Sequence, residues 1–297
     1  MTALSGGRTV HLARLRDLSD PTQLSTVLGP VARGERTPIG RLGHSGATHE
    51  RLQVQLQNGD RLALVLKRTQ LSDDWTAFAS GDGLGREVQL LRTSALGAVW
   101  DAFANPYVAC AVEPDQIGLL MDDLSGHIWP DRVGVSAQRP ILEPEEDAVL
   151  GALGRLHARY WQSEALTLPW LLQPPIRFNL MGPHASWRER LPHGHQISRG
   201  WAAALSHLPG PVAELLTTPP EQLFRRYADL PRTLLHGDAK VPNFALLPDG
   251  RVAAIDWGVG WRRSADDRGG LVPGDQRRPT RPPEGRGAGS LSTAPRS

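Results

Sequence analysis

Apolar and polar residues alternate over positions 52–56, and a second apolar run covers residues 62–66. Between the two runs lies Asn58-Gly59, a pair that tolerates the positive φ angles of a tight turn. The pattern therefore predicts a β-hairpin whose second strand ends at Lys67.

Two further stretches show the three-and-four spacing of apolar residues that is typical of an amphipathic helix. The first covers about residues 84–96 and carries Glu87. The second covers about residues 144–162, and acidic residues crowd its first turn, where the helix dipole favours anions. Between them, the apolar run 117–121 predicts a strand that leads into Asp122. The chain is therefore predicted to mix helices and strands in one α+β protein.

A second hairpin is predicted at residues 244–255, where two apolar runs flank a Pro-Asp-Gly turn at 248–250. If the residues beside this turn pair in an antiparallel ladder, Asn243 lies opposite Ile255. Asn243 and Asp256 then meet at the open end of the hairpin.

The side chains at this open end suit phosphoryl chemistry. A carboxamide oxygen beside a carboxylate suits Mg²⁺, which takes one or two carboxylates and completes its shell with water and phosphate oxygens. Asp238 lies five residues before Asn243, on the loop that enters the same end. It can accept a proton from a hydroxyl as a phosphoryl group is transferred to that hydroxyl.

Length and composition narrow the class of protein. A chain of 297 residues is long enough for about two domains. Its single cysteine, Cys110, excludes an intramolecular disulfide and a four-cysteine zinc site. No signal sequence or apolar run of membrane-spanning length is present, so a cytoplasmic protein with no membrane partner is expected.

The formal charge of +2 is distributed unevenly. Residues 262–297 hold eight arginines and four acids, which gives +4, so the preceding 261 residues sum to −2. That acidic body lacks a basic stripe, and no nucleic-acid partner is expected. The last 36 residues contain almost no aliphatic side chains, and this composition predicts a disordered tail.

The loop and hairpin together resemble a known family. His236-Gly237-Asp238 followed by Asn243, and then Ile255-Asp256-Trp257-Gly258, resemble the catalytic and metal-binding loops of the aminoglycoside phosphotransferase and choline kinase group. These enzymes are small-molecule relatives of protein kinases. Other landmarks follow in the family's order: Lys67 at a strand end, Glu87 on a helix, the hinge-like 119–124 and the helical 156–161.

The resemblance implies a protein-kinase-like two-lobe fold. Residues 1–123 would form an N-lobe with a small, mostly antiparallel sheet and one helix. Residues 124–261 would form a mostly helical C-lobe that contains the catalytic loop and the metal-binding hairpin. Family members usually continue with further helices where this chain has residues 262–297, so a truncated or frame-shifted C-terminus is expected.

The resemblance also assigns nucleotide contacts. Lys67 would contact the α- and β-phosphates of ATP and be positioned by Glu87. Backbone groups near Met121 and Asp122 would hold the adenine ring. Ser45 would contribute to nucleotide binding from the stretch 40–46, although its glycines are three residues apart and do not match the protein-kinase pattern.

The remaining roles concern transfer. Asp238 would be the base, and Asn243 and Asp256 would bind Mg²⁺. His236 would orient the loop, and Lys240 would contact either the γ-phosphate or the Asp238 carboxylate. The expected function is ATP- and Mg²⁺-dependent transfer of the γ-phosphoryl group to a hydroxyl of a small molecule.

Two alternatives stay open: a nucleotide-binding pseudokinase or inactive remnant, and a metal hydrolase built on His236, Asp238 and Asp256. The acceptor is not identified. Residues 163–232 hold five acids and seven arginines, whereas a pocket for a polycationic aminoglycoside should be acidic. An aminoglycoside acceptor is therefore not expected.

Overall fold

The described residues of this computed structural model form a six-stranded mixed sheet, a separate two-stranded hairpin and seven α-helices, together with short 3-10 helices. The described residues are 9–40, 46–128, 142–172, 194–219 and 230–259, together with Gln222 and Arg225. They all belong to one compact unit, residues 1–265. Ser45 and the predicted tail, residues 262–297, lie outside the described residues.

The strands of the large sheet are β1 (Val10–His11), β2 (Val31–Gly40), β3 (Thr48–Leu56), β4 (Arg61–Gln70), β5 (Tyr107–Glu113) and β6 (Gln116–Asp122). The hairpin consists of β7 (Phe244–Leu246) and β8 (Val252–Ala254). The helices are α1 (Pro21–Leu28), α2 (Trp75–Ser80), α3 (Arg86–Arg92), α4 (Val99–Ala102), α5 (Glu143–Arg159), α6 (Gly194–His207) and α7 (Gly210–Thr217).

The large sheet has the strand order β1-β5-β6-β4-β3-β2. All its pairs are antiparallel except β1 with β5, which run parallel. The sheet is therefore mostly antiparallel, as predicted, and the β1–β5 pair makes it a mixed one. The parallel pair escaped prediction because β1 is only two residues long, too short to show an apolar period.

Both predicted hairpins are confirmed. In the first, Gly59 takes a φ of +92° at the turn, and Leu52 and Leu64 are buried opposite each other. In the second, Phe244 pairs with Ala254, and the N–H of Ile255 donates to the carbonyl of Asn243 at 3.0 Å. Asn243 therefore lies opposite Ile255, in the register that the turn predicted.

Each face of the large sheet supports its own core. One face packs against the N-terminal segment through Leu18, Leu24 and Leu66. The opposite face packs against α3, and its core continues through α4 and α5 to the β7–β8 hairpin, with Leu156 and Trp257 among its members. This second core is continuous across the predicted boundary between residues 123 and 124. The arrangement fits a two-lobe layout.

The predicted helix at 144–162 is present as α5, which begins at Glu143 and ends at Arg159. Three glutamates occupy its first turn, as the dipole argument expected. No helix among the described residues is long and apolar enough to cross a membrane.

Candidate functional site

Three predicted site residues from distant parts of the chain meet in one ionic cluster. The Lys67 ammonium lies 2.7 Å from Oε2 of Glu87 and 2.9 Å from Oδ1 of Asp256. Lys67 lies on β4, Glu87 on α3, and Asp256 directly after β8, so the contacts join the sheet to the hairpin. We call Lys67, Glu87 and Asp256 the Lys67 cluster.

The exposure of these side chains differs across the cluster. Glu87 is 4% exposed and Lys67 13%, whereas Asp256 is 43% exposed. Burial lowers the pKa of Lys67, but the nearby carboxylates of Asp256 and Glu87 outweigh it, and the pKa is raised overall. Lys67 is therefore a permanent cation whose Asp256 side faces solvent.

Gly85 allows α3 to begin close against the sheet. It takes a φ of +70° at the N-terminal cap, and a Cβ built there would lie 2.6 Å from Cγ2 of Ile117. A side chain at this position is disfavoured both by the backbone angle and by this contact. The close start places Glu87, the second residue of α3, within reach of Lys67.

Glu87 has two further donors that fix its other oxygen. The Tyr107 hydroxyl donates to Oε1 at 2.6 Å, and the backbone N–H of Asp256 donates to the same atom at 3.1 Å. Tyr107 is fully buried, and burial, followed by the charge of Glu87, raises its pKa well above the ordinary value. It therefore stays a neutral donor. Sequence reasoning missed Tyr107, because one tyrosine at the start of a buried strand carries no pattern that points to Glu87.

The loop from His236 to Asn243, here called the His236 loop, is held by a buried histidine. The N–H of Asp238 donates to Nδ1 of His236 at 3.3 Å, so the ring proton is on Nε2, which lies 3.0 Å from the Ile255 carbonyl. The ring also packs against Trp257, with 4.4 Å between ring centroids. These contacts fix the ring between the loop and the segment that follows β8.

Acid is expected to weaken this part of the fold. Burial lowers the pKa of His236 below its ordinary 6.5, although the Ile255 carbonyl and the charges of Asp256, Asp238 and Glu87 act in the opposite direction. The unfolded chain thus binds a proton more readily than the folded one. Stability due to this group is complete above pH 6.5 and is lost as the pH falls below that value.

The measurement is the free energy of unfolding at pH 7 and pH 5, for the wild type and for His236→Gln. We expect the wild type to lose more stability than the variant, which has no ring to protonate. The pKa of His157 is also lowered by burial, so its contribution has the same sign and cancels in the difference. Equal losses in both proteins would contradict a buried neutral His236.

Asp238 is oriented by two neighbours on the same loop. Its Oδ2 lies 2.6 Å from the Lys240 ammonium and 3.1 Å from Nδ2 of Asn243. Nδ2 also donates to the Asp238 carbonyl at 2.9 Å. The Asp238 carboxylate is one of the two partners that were predicted for Lys240.

The donor set at the open end of the hairpin fits a hard cation. Because Nδ2 of fully buried Asn243 faces Asp238, the carboxamide oxygen points to the other side of the amide. Asp256 supplies a half-exposed carboxylate, and its φ of +70° lies in the left-handed region, which aspartate adopts more readily than most non-glycine residues.

Among the described residues, no group of three or more His, Cys, Asp or Glu side chains is arranged to hold a metal ion. A carboxamide and one carboxylate, completed by water and phosphate oxygens, need no such group. The chemistry of these donors therefore suits Mg²⁺ and does not suit a soft metal.

The predicted adenine-binding segment ends β6. Met121 and Asp122 are both buried there, and the N–H of Asp122 donates to the Pro106 carbonyl at 2.9 Å. The N–H of Asp123 donates to the Ala63 carbonyl at 3.0 Å. The sheet uses both N–H groups, so neither of them is available to an adenine ring in this arrangement.

The ten predicted site residues thus fall into groups. The Lys67 cluster and the His236 loop are joined through residues 255–257, because His236 and Asn243 both bond to the Ile255 backbone, next to Asp256. Met121 and Asp122 lie at the end of β6, which pairs with the strand that carries Lys67. Ser45 lies outside the described residues.

The chain matches none of the protein-family models, and no curated protein is similar enough to count as a match.

Lysine is scarce in this chain, whereas arginine is common. The chain contains 33 lysines and arginines, but only two of them are lysines, Lys67 and Lys240. Both contact carboxylates of the predicted site. A lysine is a compact charge on a flexible stem, whereas arginine is a wide planar fork. The chain thus uses lysine at only two positions, and at each of them the ammonium contacts a carboxylate of the predicted site.

Proposed function

We propose that this protein is an ATP- and Mg²⁺-dependent phosphotransferase that moves the γ-phosphoryl group of ATP to a hydroxyl of a small molecule. The observation that carries the proposal is the Lys67 cluster, in which a buried lysine bridges Glu87 and Asp256 next to the His236 loop. This arrangement brings a phosphate-binding cation, a metal-binding acid and a second acid for the proton into one region.

Lys67 would bind the α- and β-phosphates. Its bond to buried Glu87 fixes the ammonium on the inner side, and its bond to half-exposed Asp256 lies on the solvent side. A phosphate arriving from solvent can share the ammonium with Asp256 while Glu87 keeps it in position. Positioning and charge stabilisation of this kind account for most of the catalysis of phosphoryl transfer.

Asn243 and Asp256 would hold Mg²⁺, which offsets negative charge on the phosphates when it is bound. Asp238 is the proton acceptor in the same region. As the acceptor oxygen bonds to the γ-phosphorus and the bond from that phosphorus to the bridging oxygen of ADP breaks, the hydroxyl proton passes to the carboxylate of Asp238. ADP leaves with the bridging oxygen.

The two lysines support phosphate chemistry over a purely structural network. Lys240 is 54% exposed beside Asp238, which has an exposed fraction of 27%. An exposed ion pair contributes little stability, so stability alone gives no reason to hold a lysine here in a chain that otherwise uses arginine. A cation next to the proton acceptor can neutralise charge on the transferring group.

The test is acceptor-dependent ADP release by the full-length protein. The protein is incubated with MgATP and a panel of hydroxyl compounds that includes sugars, amino alcohols and nucleosides, and ADP is measured with and without EDTA. We expect one class of acceptor to raise ADP release and EDTA to abolish the increase. No release with any acceptor, and no rise in melting temperature with MgATP, would contradict the proposal.

The same experiment separates the alternatives. A pseudokinase would melt at a higher temperature with MgATP, because a ligand that binds only the folded state stabilises it, but no acceptor would raise ADP release. A metal hydrolase built on His236, Asp238 and Asp256 would instead cleave a simple ester without nucleotide when Zn²⁺ or Mn²⁺ is added.

A further inference from the structure

We infer that Tyr107 is a positioning residue for phosphoryl transfer, acting on Lys67 through Glu87. The inference rests on the proposed function. Its basis is the 2.6 Å hydrogen bond from the Tyr107 hydroxyl to Oε1 of Glu87, made inside the core.

Glu87 needs more than Lys67 to stay in place. Its two oxygens have separate tasks: Oε2 accepts from the Lys67 ammonium, and Oε1 accepts from Tyr107 and from the N–H of Asp256. A carboxylate held at both oxygens keeps one rotamer. Without the Tyr107 hydroxyl, Oε1 accepts only from the N–H of Asp256. The side chain of Asp256 itself contacts Lys67.

Tyr107 is itself fixed by its surroundings. It lies opposite Met121 across the β5–β6 pair, and its ring packs edge-on against Trp100 with 5.8 Å between centroids. Trp100 in turn contacts Trp257, the residue after Asp256, at 6.2 Å. Tyr107 therefore connects the strand predicted to hold adenine with both acids of the Lys67 cluster.

Loss of the Tyr107 hydroxyl is expected to disturb the position of Lys67 at the nucleotide phosphates and to leave acceptor binding unchanged. Tyr107→Phe keeps the ring and removes only the hydroxyl. Because a hydrogen bond to a charged group contributes strongly, we expect kcat to fall about tenfold. The KM for the acceptor should not change, because Tyr107 is buried and acts through Glu87. A variant that merely folded less well would instead lose active protein, which titration of active sites corrects.

A double-mutant cycle tests the route of this effect. If Tyr107 acts through Glu87, Tyr107→Phe should lower kcat in the wild type but have no further effect in Glu87→Gln. Tyr160→Phe is the matched control, since the Tyr160 hydroxyl is also buried but takes no part in the bonds around Glu87. It should leave kcat unchanged.

A second readout needs no turnover. Because Lys67 and Lys240 are the only lysines, acetic anhydride labelling followed by mass spectrometry gives the reaction rate of each. Tyr107→Phe should raise the labelling rate of Lys67 several-fold relative to that of Lys240, because Glu87 no longer holds the buried ammonium in one position. Tyr160→Phe should leave this ratio unchanged. In an unfolded variant, both lysines would be labelled at similar rates, and this ratio distinguishes unfolding from a local change at Lys67.

Unchanged kcat and an unchanged Lys67 labelling rate in Tyr107→Phe would overturn the inference, and so would equal, additive effects in the wild type and in Glu87→Gln. If the wild type itself releases no ADP and binds no MgATP, the proposed function fails. The labelling ratio then still decides whether Tyr107 positions Lys67.

Discussion

Replacing Asp238 with Asn is expected to lower turnover by about 10²- to 10⁴-fold, the range that general-base catalysis contributes. The carboxamide keeps the shape of the side chain and can still accept from Lys240, which contacts Oδ2 at 2.6 Å in the wild type. It cannot take a proton from the acceptor hydroxyl. MgATP affinity should stay within about twofold, because the carboxamide keeps the shape of the side chain and its bonds to Lys240 and Asn243 hold the loop in place.

The measurement compares kcat for acceptor-dependent ADP release with the Kd of MgATP from calorimetry. Asp249→Asn is the matched control. Asp249 lies in the turn of the β7–β8 hairpin, which follows the His236 loop, and it pairs with Arg251 at 2.7 Å on the surface. It should keep full turnover. If Asp238→Asn turned over as fast as the control, Asp238 would have no part in proton transfer.

The sequence predicted those helices and strands that have one buried side and one exposed side. The β3–β4 hairpin and α5 each bury one side, so their apolar residues recur at the period of the element. Strands β2 and β5 lacked that signal for opposite reasons. Strand β2 is exposed along most of its length at the edge of the sheet, whereas β5 is buried from Tyr107 to Ala111.

The parts of the site that could be predicted are those fixed by short spacing. The turn at 248–250 sets the hairpin register, so the position of Asn243 opposite Ile255 followed from local sequence alone. The role of Tyr107 depends instead on α3 lying against β5, which local sequence does not encode. The same holds for the backbone bonds that occupy the N–H groups of Asp122 and Asp123.

Substitution of Lys67 is expected to separate the structural from the chemical role of its cluster. Lys67→Met leaves Glu87, which is 4% exposed, without its cation. Removing one partner of a buried pair typically costs about 3 to 5 kcal/mol, and we expect a loss near 3 kcal/mol because Tyr107 and the Asp256 N–H still donate to Glu87. Loss of the phosphate-binding charge should also lower turnover by about 10²- to 10³-fold.

Lys67→Arg keeps the charge but replaces the compact ammonium with a wide planar group. The unfolding free energy should fall by only about 1 kcal/mol, while turnover should still fall by about 10²-fold, since the fork cannot occupy the same point between Glu87, Asp256 and a phosphate. Arg61→Lys, at the exposed start of the same strand, is the reverse control and should change neither quantity. Chemical denaturation and acceptor-dependent ADP release measure the two effects. If Lys67→Arg kept wild-type turnover, any cation at this position would suffice, and the confinement of lysine to two positions in the chain would have no chemical meaning.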